Sequence, residues 1–234
     1  NKIARRTVGF SGADLENMLN EAAIRAARAG KKKVDMSDIE EAATKVKLGL
    51  EKRRLQSEDD RKMTAYHEVG HALVGHLLEG TDPIHRVSIV SRGMALGFTM
   101  SRPKIDKFQQ TESELKHEMA MMLGGRAAER IIFNELTAGA SSDIERATML
   151  ARRMVVDFGM SSIGPVSLGQ TVESNTWGYS NGDPVRLSEG TLSKVDNEIK
   201  KLIDDELRRE IPKHSDEFYT HTYKVMRVPS AAEL

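Results

Sequence analysis

Residues 65–77 read AYHEVGHALVGHL, which places His67 and His71 four residues apart with Glu68 directly after the first. Ala65, Ala72, Leu73 and Leu77 supply apolar residues at helical spacing around them, so the stretch reads as an amphipathic helix. Four residues advance a helix by about 6 Å and about 400°, so both imidazoles leave the same face one turn apart. Two imidazoles so placed reach one Zn²⁺ at about 2.0–2.1 Å. Glu68 points about 100° aside, close enough to touch a water beside the metal without ligating it. The plainer reading is a helix that merely carries histidines. Burying two neutral imidazoles and a carboxylate without partners is costly, and this weighs toward the metal.

A third ligand is needed. The chain has no cysteine, which excludes disulfides, thiolate zinc sites and cysteine nucleophiles, and leaves His, Asp or Glu. His76 lies nine residues from His67, on nearly the opposite face, and reads as a surface or interhelix residue. An elongated H-E-x-x-H-x-x-G-x-x-H site would want Gly at 74 and His at 77, where this chain has Val74 and Leu77. Two downstream carboxylates remain. Asp143, in TAGASSDIERAT (137–148), stands where a Gly/Ser-rich loop enters a helix, so its short side chain can swing onto a metal; the competing reading is a carboxylate that merely favours the helix dipole. Glu129, in GGRAAERIIF (124–133), reads better as the partner of a ligating histidine.

The 234 residues are 39% hydrophobic and 30% charged, sufficient for one or two globular domains. Lys+Arg and Asp+Glu are equal at 35 each, which gives no basic footprint for nucleic acid. No apolar run approaches the length of a bilayer span. Starting at Asn1, the chain reads as a piece of something longer.

Capping signals divide it. Ser11 and Asp14 open a helix that ends at Gly30; Ser37 and Glu40 open a second that stops at Gly49. The polar run EKRRLQSEDDRK then sets a boundary near residue 54. Ser57 opens the helix of the H-E-x-x-H motif, which continues to Leu78; IHRVSIV (84–90) and ALGFTM (95–100) follow as two short strands. Thr111 and Glu114 cap a helix running to Phe133 despite Gly124-Gly125, and further helices are expected over Asp143–Phe158 and about 188–211, ending near Pro212. Residues 159–169 and 173–184 are turn-rich and expected to be irregular. The expected fold is therefore mainly α with a short β-hairpin.

TAYHEVGHALVG (64–75), DPIHRVSIVSRGMALGFT (82–99), GGRAAERIIF and TAGASSDIERATMLARRMVVDFGMSSIGP (137–165) resemble the successive motifs of the FtsH family of ATP-dependent zinc metalloproteases. GFSGADLENMLNEAAIRAAR (9–28) resembles that family's helical AAA lid. The resemblance covers residues 1 to about 170 and implies a helical lid at 1–54 followed by a zinc metallopeptidase domain at 55–234. It implies His67, His71 and Asp143 as zinc ligands, one zinc per subunit, and Glu68 as the catalytic residue. Gly12 and Ala13, in the SGAD turn, are implicated in nucleotide contact. Val69 departs from the alanine usual in the family.

No G-x-x-x-x-G-K-[ST] loop occurs, so ATP and magnesium are expected only in a full-length parent. That parent is expected to be a homohexamer, membrane-anchored through upstream segments, with this portion in the cytoplasm or an organelle matrix or stroma. Its expected substrates are unfolded or membrane-extracted proteins. The rival reading is a protease-dead chaperone or assembly subunit of the same fold; a structural zinc site would want four protein ligands where three are evident. The substrate backbone could pair with the edge of MALGFTM, or that hairpin could be core alone.

Overall fold

The computed structural model describes residues 3–52, 57–93, 95–101, 109–168 and 187–213. Six α-helices and one two-stranded sheet follow in the order α1 (Gly12–Arg28), α2 (Met36–Leu48), α3 (Glu58–Leu77), β1 (Ile84–Ser88), β2 (Phe98–Ser101), α4 (Glu112–Phe133), α5 (Ser141–Val156) and α6 (Glu189–Lys213). The mainly α expectation with a short hairpin is met. The turn-rich expectation at 173–184 lies outside the described residues, as does the end of the one at 159–169.

Local chemistry sets most boundaries. Ser11, Ser57 and Thr111 each accept the N–H of the third helical residue, whose carboxylate returns to the cap N–H; the boxes at Ser11 and Thr111 and the start at Ser57 are those the sequence predicts. Helix α2 differs. Asp35 caps it instead of Ser37, accepting the N–H groups of Ser37 at 2.8 Å and Asp38 at 3.1 Å. A carboxylate serves two amides where a hydroxyl serves one, and Lys31 anchors it by reaching Asp35 at 2.8 Å and Asp38 at 3.0 Å. Helix α5 also begins earlier than expected, because a 3-10 turn at Ala138–Ala140 winds the chain directly into Ser141. Asp143 thus sits inside the first turn. Helix α6 runs from Glu189 to Lys213, ending beside Pro212 as expected.

Two packing centres result. Met18, Ala22, Ala42 and Ala43 join α1 to α2. A larger core brings Met119 and Leu123 of α4 against Ala147, Leu150, Ala151, Met154 and Val155 of α5 and Val195, Ile199 and Leu202 of α6. Helix α3 lies on the remaining side of α4, through Leu73 with Ala128, and Val74 and Leu78 with Ala120. The strands pair antiparallel, with Val87 opposite Thr99 and Ser88 opposite Phe98.

The α3–α4 contact is unusually close because glycine faces glycine. A Cβ at Gly124 would stand 2.7 Å from the Gly70 carbonyl oxygen and 3.1 Å from Val74 Cγ2, and a Cβ at Gly70 would strike the Gly124 carbonyl in turn. The two backbones touch where other helix pairs interpose side chains.

A second seam ties the α2 exit to the loop between the strands. Lys52 N–H donates to the Ser91 carbonyl at 2.9 Å, and Gly93 N–H to that of Leu50 at 3.2 Å. Arg92, only 5% exposed along its side chain, pairs with Glu41 of α2, and Arg86 reaches the same carboxylate at 3.5 Å.

Gly124→Ala is expected to destabilise the protein by about 1–3 kcal/mol through overpacking, although alanine is the better helix former. The control is Gly190→Ala in α6, where a Cβ meets only the Ser188 hydroxyl at 3.9 Å; it should be neutral or stabilising by up to about 1 kcal/mol. Urea denaturation of both variants against the parent checks the contrast.

Candidate metal centre

Helix α3 presents His67 and His71 toward α4, and the space they occupy exists because position 125 is glycine. A Cβ there would lie 2.6 Å from the Nε2 atoms of both histidines. Into the same space the first turn of α5 directs Asp143. His67 Nε2 is 3.0 Å from His71 Nε2 and 3.2 Å from Asp143 Oδ2, and His71 Nε2 is 3.4 Å from that oxygen.

The outer ring nitrogens fix the inner ones. His71 Nδ1 lies 2.8 Å from the Met121 carbonyl, which can only accept, so this nitrogen carries the proton. The Gly125 N–H approaches the same atom at 3.4 Å and is the weaker contact. His67 Nδ1 meets Glu129 Oε1 at 2.8 Å, and Glu129 is 1% exposed. Thr137 holds that buried carboxylate, its N–H donating to Oε2 at 2.8 Å and its hydroxyl to Oε1 at 3.0 Å. Both histidines are thereby oriented with Nε2 lone pairs facing each other and a carboxylate oxygen, a convergence of three acceptors that a cation satisfies.

The spacing fits zinc. Ligands about 2.0–2.1 Å from a tetrahedral ion stand about 3.3 Å from one another, and the three donor atoms here span 3.0–3.4 Å. Among the described residues, His67, His71 and Asp143 form the one such cluster. Three ligands leave a position open, as catalytic zinc sites do and closed structural sites do not.

Glu68, 6% exposed, turns toward the hairpin. Thr99 Oγ1 stands 2.7 Å from its Oε2 and 2.8 Å from its main-chain oxygen. Burial raises its pKa; the Thr99 hydrogen bond and the charges of His71 and His67 oppose this and are outweighed. For His67, burial disfavours the proton, yet the hydrogen bonds its ring donates to Asp143 and Glu129 when protonated, with the nearby carboxylate charges, prevail and raise its pKa. Asp143 is penalised by burial, but its contacts with His67 and His71 hold it well below the usual carboxylate range.

Of the residues singled out from sequence, His67, Glu68, His71 and Asp143 come together, and Glu129 stands behind His67. His76 is exposed, as expected. Gly12 and Ala13 are exposed in the first turn of α1, which is packed against α2 rather than among the metal-site residues. Sequence reasoning missed Thr99, Thr137, Gly125 and the Met121 carbonyl. Only Gly125 left a trace, as half of a glycine pair inside a predicted helix.

The profile of peptidase family M41 matches residues 54–220, and that of the AAA+ lid domain matches residues 1–41. Similar proteins include the ATP-dependent zinc metalloprotease FtsH 1 of Thermoanaerobacter sp. (strain X514), 47% identical over 88% of this chain and 34% of its own. The ATP-dependent zinc metalloprotease FtsH of Rubrobacter xylanophilus is 48% identical over 87% of this chain and 32% of its own. That of Pseudothermotoga lettingae is 48% identical over 88% and 34%. This chain therefore spans about a third of the length of these curated relatives.

Asp143→Ala is expected to weaken zinc retention strongly, whereas Glu129→Ala should weaken it about 10–100-fold, as loss of a histidine's supporting partner does. Competition against a graded set of chelators ranks the two; the reverse order would make Glu129 the ligand.

The pH dependence separates the metal-free and loaded proteins. Without metal, the raised His67 pKa contributes stability that is full below about 6.5 and lost as pH rises through the folded value, while the depressed Asp143 contributes stability above about 3.8 that is lost as pH falls. The metal-free pairing is therefore strongest between about pH 4 and 6.5. Zinc requires neutral His67, so the increment in melting temperature on adding zinc should grow as pH rises from about 5.5 to about 8. Melts with zinc and with chelator across that range measure it.

Proposed function

The chain belongs to peptidase family M41, and from that premise we propose that it is the peptidase portion of an ATP-dependent zinc metalloprotease that hydrolyses peptide bonds of unfolded or membrane-extracted proteins. The observation that carries this reading is the convergence of His67 Nε2, His71 Nε2 and Asp143 Oδ2 with Glu68 alongside. Zinc held by these three residues, when bound, polarises the scissile carbonyl and acidifies the attacking water. Glu68 accepts the proton of that water and delivers it to the leaving amine. Its burial suits the task, since desolvation disfavours the charged carboxylate and makes it a stronger proton acceptor than an exposed one. Glu129 and the Met121 carbonyl keep the imidazoles in the tautomer that leaves Nε2 free. The edge of the β1–β2 hairpin suits a substrate backbone in extended pairing, a mode that depends on main-chain groups and tolerates varied side chains.

In the proposed parent, ATP and magnesium belong to an ATPase core preceding this chain. Gly12 and Ala13 contribute to the nucleotide contact from the lid, assembly is hexameric, and the membrane anchor lies upstream with this portion in the cytoplasm or an organelle matrix or stroma. Residues 1–54 then act as the lid and 55–234 as the peptidase domain. Among the described residues no helix is long and apolar enough to cross a membrane.

Glu68→Gln decides between this enzyme and a protease-dead subunit of the same fold. Cleavage of an unfolded casein should fall by at least about 100-fold, with zinc per chain unchanged. Loss of zinc from this variant would make Glu68 a ligand, and unchanged cleavage would remove it from the reaction.

A further inference from the structure

The hairpin reaches into the site through two residues of the same strand end. At Gly97 a Cβ would stand 2.8 Å from both Cγ and Oε1 of Glu68, so the glutamate side chain lies directly on the Gly97 backbone. Two residues on, half-buried Thr99 sets its hydroxyl 2.7 Å from Glu68 Oε2 and 2.8 Å from the Glu68 main-chain oxygen. Gly97 closes one side of the carboxylate and Thr99 bonds the other, and the carboxylate lies near enough to His67, His71 and Asp143 to feel their charges.

A hydroxyl has one proton and two lone pairs, and its proton rotates freely. Facing two acceptors, the Thr99 O–H donates to Oε2 when that oxygen is ionised. When Oε2 carries a proton, that proton donates to Thr99 Oγ1, and the threonine proton turns to the Glu68 carbonyl. Every group stays satisfied in both cases without any heavy atom moving, so a carboxyl that gains and then loses a proton keeps one orientation. Tying the hairpin to α3 alone would need only the main-chain bond.

We propose that Thr99 is a positioning residue for Glu68, holding its carboxyl toward the reacting atoms through both halves of the proton transfer. This rests on Glu68 being the proton acceptor of the proposed reaction. Thr99→Val keeps the branched shape and removes the hydroxyl; Thr99→Ser keeps the hydroxyl. Zinc per chain, kcat and KM on an unfolded casein peptide, and the affinity of a peptide hydroxamate measured by calorimetry are followed in both variants and in Glu68→Gln. The hydroxamate probes the carboxyl without turnover, because it donates a hydrogen bond to it while bound to the metal.

For Thr99→Val, kcat should fall about 10–100-fold with KM within about twofold, and hydroxamate affinity should fall about tenfold at unchanged zinc content. Thr99→Ser should restore all three to within about threefold. The proposal is overturned if Thr99→Val keeps kcat or hydroxamate affinity, if zinc is lost along with activity, or if Thr99→Ser is as impaired as Thr99→Val. An inactive Glu68→Gln beside a fully active Thr99→Val removes Thr99 alone. A fully active Glu68→Gln removes the underlying reading of the base.

Discussion

Everything at the candidate metal centre depends on how closely helix α4 approaches helix α3. Glycine at 70 and 124 lets the two backbones meet, and glycine at 125, one residue along, opens the volume that the paired imidazoles fill. Across the same contact the Met121 carbonyl reaches His71 and Glu129 reaches His67, each at 2.8 Å. The glycines carry a cost in helix propensity, roughly 1 kcal/mol each. That cost is offset by the packing of α4 on α5 and α6, whose core of Met119, Leu123, Met154 and Val195 is almost wholly excluded from solvent.

Supporting contacts then form a chain that runs back to the loop carrying the third donor. Thr137 binds Glu129 with its N–H and hydroxyl, and the same hydroxyl accepts the Gly139 N–H at 3.2 Å, starting the 3-10 turn that delivers Asp143. The orientation of His67 and the position of Asp143 are thus set by one residue. A buried carboxylate with three donors is well satisfied, which is why Glu129 costs little where an unpaired one would be severely destabilising.

How much of this could be read in the sequence follows from how local each cause is. The capping boxes at Ser11 and Thr111 and the helix start at Ser57 span four residues at most and are legible; Asp35 is not, because Ser37 also fits the pattern and the anchoring Lys31 lies outside the window. His67, His71 and Glu68 announce themselves by helical periodicity alone. Residue chemistry narrowed the third donor to Asp143 or Glu129, and the structure places Asp143 with the Nε2 atoms and Glu129 behind a ring. Thr99 and the Met121 carbonyl could not be found this way, since one depends on strand register and the other is main chain.

The seam between α2 and the β1–β2 loop has a mechanical meaning. The segment joined by main-chain bonds to Leu50 and Lys52, and by Arg92 to Glu41, continues through Gly97 and Thr99 to the carboxyl of Glu68. Between the two ends the chain turns back on itself, Arg92 and Ala95 exchanging main-chain hydrogen bonds of 3.0 and 2.9 Å. A turn closed in this way and bonded to α2 on one side and to Glu68 on the other leaves little slack, so a tilt of α2 strains the Arg92 anchor and the neighbourhood of Glu68 together.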